Sequence, residues 1–540
     1  MTTVLEVAAP AGFDPITLEV LRNALEAVAQ EMGAVLKLTA FSPNIKERMD
    51  ASCALFDAEA RLVAQAEHVP IHLGSMMRAV APILAETGPL DPGDVVAVND
   101  PFIAGAHLPD ITLLAPAYVD GICIAYVATR AHHADVGGME PGSMPGSSTS
   151  IYQEGLIIPP VKLYRQGELQ GDVQRMILAN VRTPAERRGD LNAQLAALRI
   201  GARRIEEVAE RFGPDLLRRG MAALLDYSER RMRRRLLELP PGVYEAEDCM
   251  DEDGSSAGPV VVKVRVEVSA ARLVIDFAGS SAQRPGNVNA VAPMTQSACF
   301  FALKLLIDPT LPANAGVLRL LDIRIPAGSF LDAQSPAAVC AGNTETSQRV
   351  SDTVLRAFCA IAPDRIPAAS QGTMNLVSVG GRDPRTGRTY TYIETICGGQ
   401  GGRPHGPGMD GVQVNMTNTM NTPIEALEIA YPLRVESYEL RDGSGGAGQH
   451  RGGHGVERSI RVVDHSARVS VQSDRRLFAP YGLHGGADGT MGANSLISSN
   501  GAERKLPGKG SVTLGDGDTV VVRTPGGGGW GAPAGPGTKE

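Results

Sequence analysis

Residues 99–138 read NDPFIAGAHLPDITLLAPAYVDGICIAYVATRAHHADVGG. Two apolar runs, Ile111 to Val119 and Ile122 to Thr129, have the length and β-branched content of strands. Asp120-Gly121 between them is a two-residue hairpin signal, because a tight turn of this kind needs positive φ at its centre. A hairpin closed there pairs residues whose numbers sum to about 241, which sets Asp110 near Ala131 and His132. His107 lies just beyond on the same arm. His132 and His133 point to opposite sides if the strand continues, so one of them can join Asp110 directly. Two imidazoles and a carboxylate then converge at the open end of the hairpin. That donor set suits Zn, Mn or Fe and leaves positions for water or substrate. Asp135 is placed to orient an imidazole from behind. The competing reading makes these groups polar caps on strand ends, with a histidine hydrogen-bonded in a core. Five such groups at one hairpin mouth favour the metal.

Working outward, Leu18, Leu21, Leu25, Val28, Met32 and Val35 recur at helical spacing after the Asp14-Pro15 start signal. Ser52 to Phe56 and Arg61 to Ala64 read as a short hairpin. Just before it stand Glu47, Arg48 and Asp50. The two acids are candidates for a general base or for holding a metal's water, and a salt-bridged surface turn is the alternative. His68 and His72 flank a proline in AEHVPIHLG, so they either line the site or begin a helix over Leu73 to Leu84. Val95 to Val98 is a buried strand. The Gly/Ser/Pro-rich loop from Gly142, extended to Gln153, lies beside the site and is expected to influence substrate choice.

From Thr183 to Leu237 the pattern is helical, with a break at Gly213-Pro214. The RMRRR run at Arg231 to Arg235 reads as a solvated helix face. After Pro240-Pro241-Gly242 strict alternation sets in (VKVRVEV), and Leu273 to Phe277 follows as a strand. Ala292 to Leu306 and Thr346 to Ile361 read as helices. The last third is strand and glycine-rich loop. The expected fold is α+β and multi-domain, with mixed β-rich sheets and packed helices. Residues 1–240 form a metal-site domain with the helical segment 183–237, and residues 241–540 form a β-rich region.

A chain of 540 residues with net charge −9 carries no nucleic-acid footprint. Seven scattered cysteines without a C-x-x-C pair fit reduced thiols and a cytoplasmic protein. The N-terminus lacks the basic and apolar regions of a signal peptide, and no run is apolar enough for a membrane span. No glycine tract is G-x-x-x-x-G-K-[ST] or a strand-bound G-x-G-x-x-G, and there is no G-x-S-x-G elbow. The expectation is a chain without its own ATP cradle.

Several stretches together carry a family resemblance. They are DPITLEVLRNAL, NIKERMDASCALFD, HVPIHLGSM, GDVVAVNDPFIAGAHLPDITLLAP, ATRAHHADVGGMEPGSMPG, NVRTPAERRGDLNAQ, GNTETSQRVSDTVLRA and PGGGGWG. The chain resembles the hydantoinase B/oxoprolinase family, which includes N-methylhydantoinase B subunits, the C-terminal half of 5-oxoprolinase, caprolactamase, and acetone and acetophenone carboxylase subunits. The resemblance implies the metal-binding B-type component of an ATP-dependent hydrolase of hydantoin, 5-oxoproline or lactam rings. It implies a partner, an A-type (HyuA-type) component that binds ATP-Mg and phosphorylates the amide or ketone oxygen, in a hetero-oligomer such as A2B2. The family's metal ligands carry over to His107, Asp110 and His132. Its acidic position carries over to Glu47, with Asp50 close by, and its HHAD pattern contains His133 and Asp135. The resemblance leaves two alternatives: a subunit of an acetone/acetophenone-type carboxylase, or a non-catalytic scaffold. A two-His-one-carboxylate set also occurs in non-haem iron oxygenases, which the family context disfavours.

Overall fold

In the computed structural model, which describes residues 13–66 and 69–533, Asp120 and Gly121 both take positive φ (49° and 77°). The turn joins strands Asp110–Val119 and Ile122–His132. A register shift between Ala117 and Tyr118 moves the pairing by one residue, so Asp110 stands directly opposite His132. This hairpin is the centre of a seven-stranded sheet, in the order Leu62–Ala66, Ala51–Asp57, Ile122–His132, Asp110–Val119, Val95–Val98, Val161–Arg165, Glu168–Leu169. Every neighbouring pair is antiparallel.

Two long helices cover one face of this sheet. Pro15–Thr39 is capped by Asp14, whose carboxylate accepts from Thr17 N (2.9 Å). It buries Leu18, Leu21, Leu25, Val28, Met32 and Leu36 as one stripe. Pro184–Phe212 packs against it, and Pro214–Leu236 follows after the break at Gly213. The helices approach closely at Gly201, where a Cβ would lie 2.4 Å from Met32 Sδ. The RMRRR run pairs with acids of this chain: Arg231 with Asp308, Arg233 with Glu229, Arg235 with Glu238.

The helix expected over Leu73 to Leu84 is broken into Pro70–Ser75, a 3-10 turn Met76–Arg78, and Val80–Thr87. Pro82 has no N–H to give to Arg78, and its ring crowds that carbonyl. Pro70–Ser75 instead crosses helix Ala292–Ile307.

At residue 240 the texture changes to a second sheet, in the order Leu321–Arg324, Leu273–Asp276, Val260–Val268, Gly242–Met250. The hydrophobic core nevertheless runs on through this point, from Leu18 to Met416. A separate core begins at Val377 and ends at Val522. It lies among a four-stranded sheet (Thr389–Thr395, Leu376–Arg382, Ala467–Gln472, Lys509–Leu514) and a five-stranded one (Leu433–Leu440, Val456–Val462, Thr519–Arg523, Ala493–Ile497, Glu503–Leu506). The molecule is α+β with several sheets, as the sequence predicts.

The glycine tracts interlock. Gly402 N donates to Gly528 O, Gly446 N to Gly527 O, Gly453 N to Gln400 O, and Gly529 N to Ala487 O. Backbone lies on backbone here: a Cβ on Gly527 would meet Gln400 O at 2.1 Å, and one on Gly453 would meet Met409 O at 1.8 Å.

Among the described residues no helix is long and apolar enough to cross a membrane. All seven cysteines are free thiols. The signal-peptide expectation falls on residues 1–12, outside the described residues.

Candidate metal centre

The hairpin positions two of three converging groups by register, and a turn adds the third. Asp110 N donates to His107 O (3.0 Å), which folds His107 back beside Asp110. On the partner strand, His132 N donates to Asp50 O (3.0 Å), and Asn44 Nδ2 donates to His132 O (2.7 Å). His107 Nε2 and His132 Nδ1 then lie 3.1 Å apart. Each lies 3.3 Å from Asp110 Oδ1. All three side chains are buried, and they form a group that could hold a metal ion.

The donor set fits such an ion. Three ligands each about 2.1 Å from one cation stand roughly 3.0–3.4 Å apart in octahedral or tetrahedral arrangements. His107 Nδ1 faces the Cys340 carbonyl at 3.2 Å, so it carries the proton and Nε2 offers a lone pair to the centre. The Cys340 peptide is fixed in turn by Glu154, whose carboxylate accepts from Val339 N (3.0 Å) and Cys340 N (3.1 Å). His132 Nε2 is buried without a hydrogen-bond partner.

Electrostatics follow the geometry. Burial opposes the charge on Asp110, but His107, His132 and His72 outweigh it and hold the carboxyl well below the usual carboxylate range. Burial likewise opposes protonation of His107, and the Asp110 carboxylate overcomes it and raises that imidazole's pKa. His72 stands on the free side of Asp110, with Nε2 3.6 Å from Oδ2 and Nδ1 2.9 Å from Ser52 Oγ. His72 lies in helix Pro70–Ser75 and also lines the chamber, so both sequence readings apply to it. His68 lies outside the described residues.

A small chamber of about 30 Å³ surrounds the group, with Asp50, Arg48, His72 and Asn343 in its wall. That volume is enough for an ion with a water. Met374, Leu376 and Ile393 supply apolar wall. Arg48 closes one side, with Nη1 on Asn44 Oδ1 (2.7 Å) and Ile393 O (2.8 Å), and Nη2 on Thr395 Oγ1 (2.7 Å). Beyond the wall, where Ile71 N donates to Met416 O (3.2 Å), lies an open cleft of about 860 Å³. Thr417 lines both spaces.

Other expected residues fall elsewhere. Glu47 ends the short helix Pro43–Lys46, half-buried, and does not line the chamber, whereas Asp50 does. His133 points to the opposite face, with Nε2 2.9 Å from Gln194 Oε1. Burial pushes its pKa down, helped by Arg187, so it is a neutral core imidazole. Asp135 orients no imidazole. It pairs with Arg182 (2.8 Å) and accepts from Gly137 N and Arg182 N. The Gly142-to-Gln153 loop is also absent from the chamber wall. It is bound under the third sheet, where Gly146 N donates to Ser470 Oγ (3.1 Å) and Gln472 Nε2 to Pro145 O (3.0 Å). Asn343, Thr344 and Met374 enter the chamber from more than 200 residues away, with no local signal in the hairpin to announce them.

Comparison with known proteins agrees with this architecture. The hydantoinase B/oxoprolinase family model matches residues 14–533. An uncharacterized protein of Methanocaldococcus jannaschii is 42% identical over 96% of this chain and 91% of its own length. 5-Oxoprolinase 1 of Arabidopsis thaliana is 38% identical over 96% of this chain and 42% of its own. The chain therefore spans about two-fifths of the 5-oxoprolinases it matches. The B component of a putative D-/L-hydantoinase from a Pseudomonas species is 32% identical over 96% of this chain and 90% of its own. The ATP-dependent caprolactamase of Pseudomonas jessenii superposes with TM-score 0.91 at 30% identity, covering 96% of this chain and 92% of that one. Nucleotide-free acetone carboxylase shares the fold, with TM-score 0.89 at 18% identity over 96% of this chain and 76% of that one. The chain belongs to the hydantoinase B/oxoprolinase family.

Proposed function

We propose that this chain is the metal-binding B-type component of an ATP-dependent enzyme that opens cyclic amides: hydantoin, 5-oxoproline or a lactam. The observation that carries the reading is the buried triangle of His107 Nε2, His132 Nδ1 and Asp110 Oδ1, with edges of 3.1–3.3 Å. Relatives bearing hydantoinase, oxoprolinase and caprolactamase names support the substrate class. A divalent ion of the Zn, Mn or Fe type would lower the pKa of a water there and polarise a bound oxygen. Asp50 is the acid in the chamber wall able to take the water's proton. His107 Nε2 and His132 Nδ1 face the centre, and Met374, Leu376 and Ile393 supply an apolar part of its wall. Amide resonance makes the ring a poor electrophile. Phosphorylation of its oxygen by ATP-Mg on an A-type partner, in a cytoplasmic hetero-oligomer, would remove that resonance before the ring carbon is attacked.

Replacing His107 or Asp110 with Ala is expected to abolish partner-dependent hydrolysis and strip bound metal, read by elemental analysis beside the activity assay. Full activity in a metal-free variant overturns the reading and supports the scaffold alternative. Fixation of labelled bicarbonate into acetone or acetophenone by the same preparation would move the assignment to the carboxylase branch.

A further inference from the structure

Among the polar side chains of the chamber wall outside the triad, Asn343 reaches closest to His107 Nε2. Asn343 stands in a π-helical turn, Gly342–Thr346, that runs into helix Ser347–Cys359. Wide turns of this kind re-aim side chains and recur at functional sites. Gly342 permits the close fit, since a Cβ there would lie 2.0 Å from Asn289 O. The Asn343 side chain is aimed at the triad: Nδ2 lies 3.2 Å from His107 Nε2 and 3.5 Å from Asp110 Oδ2. These are close to the spacings that the triad atoms keep from one another. The residue is only 6% exposed, and its Oδ1 has no hydrogen-bond partner. A buried amide oxygen left unpaired is costly.

The two ends of an asparagine amide exchange places by half a turn about the last bond, with no change in shape. A cation on His107, Asp110 and His132 would repel the NH2 end that now faces them and attract the oxygen. We propose that Asn343 is the fourth side chain of the donor set, turning Oδ1 toward a divalent cation held by the triad. The inference rests on the metal reading above. It gives a mixed nitrogen and oxygen set, which suits Mn, Fe or Zn, rather than the all-oxygen cage of a calcium site.

The test uses the full chain and the variants N343D, N343L and H107A, stripped with chelator and titrated with Mn2+ by calorimetry. The Co2+-loaded forms give an electronic spectrum that reports the ligand field. N343L keeps the volume but has no oxygen, and it is expected to weaken Mn2+ binding by about tenfold or more. N343D places a full charge at the same point and is expected to tighten binding, with the Co2+ spectrum changed in both variants. Thermal melts establish folding. If N343L does not fold, the near-isosteric N343D decides. Wild-type affinity and an unchanged Co2+ spectrum in a folded variant overturn the inference while H107A still loses metal. A wild-type chain that binds no metal, with H107A indistinguishable from it, overturns both this inference and the metal reading.

Discussion

At the junction of the two cores, Asp248 meets Arg349 at 3.1 Å and Arg475 at 2.8 Å. Asp352 meets Arg475 at 2.9 Å, and Asp474 lies 3.7 Å from Arg349 and 3.8 Å from Lys509. At the mouth of the Asp110–His132 hairpin, Asp110 is as deeply buried, but its partners within 4 Å are imidazoles and one amide. The junction carries its own fixed cations, so its acids are balanced within the chain. The triad offers lone pairs and a carboxylate, and the ion-pair partners of that carboxylate are imidazoles, His72, His107 and His132. Two clusters with similar burial thus differ in make-up: one is a network of paired charges between sheets, and the other is a set of donors that, on the proposed reading, holds a cation.

The largest effects should separate the two. Asp248→Ala leaves two buried guanidinium groups short of a partner and is expected to cost about 3–5 kcal/mol in chemical denaturation, with metal affinity unchanged. Asp110→Ala should do the reverse, weakening metal binding by more than about a hundredfold with a much smaller loss of stability. An Asp110→Ala protein as unstable as Asp248→Ala would break the comparison.

The junction also predicts a pH window. Burial works against ionised Asp248, but Arg349 and Arg475 prevail and hold its pKa at about 2. A depressed folded-state pKa gives stability that is complete above the ordinary value of 3.8 and is lost as pH falls toward 2. Denaturation midpoints at pH 2.5, 4 and 7 should show this loss in the wild type. The Asp248→Asn variant should show a flatter profile. Next in size, Glu154→Ala frees the Cys340 peptide that fixes the His107 tautomer and should raise the metal Kd about tenfold or more, with Glu154→Gln restoring part of it. A metal Kd that does not move would remove Glu154 from the support of the site. The smallest effect belongs to Glu47→Gln, expected to leave turnover within about twofold, whereas Asp50→Asn should lower it about a hundredfold with metal retained. Equal losses in the two would put Glu47 back among the proton acceptors.

Part of the candidate metal centre is legible in the sequence because it is local. A turn signal at Asp120-Gly121 brings Asp110 level with Ala131 and His132, and a period of two sends His132 and His133 to opposite faces, without deciding which of them joins Asp110. The one-residue shift between Ala117 and Tyr118 makes that choice, setting Asp110 opposite His132 instead of Ala131, and no turn signal announces it. Asp135 escapes such reasoning because its position in sequence says nothing of Arg182, which reaches it from the start of the next helical segment. Asn343 and Met374 are invisible for the same reason, since the chamber takes its far wall from the second half of the chain. The broken helix at residues 70–87 is open to a stricter reading of Pro82. The continuity of the first core through residue 240 is not, because alternation marks where strands begin and not which core they join.

The interlocked glycine tracts carry a consequence for the order of synthesis. The strip Pro525–Gly531 donates to or accepts from residues near 370, 400, 450 and 487, all made well before it. While the chain emerges from the ribosome those older loops have backbone groups waiting for partners that do not yet exist. The tracts can therefore lock only after Pro525–Gly531 has been made and laid between loops too tight to admit a side chain.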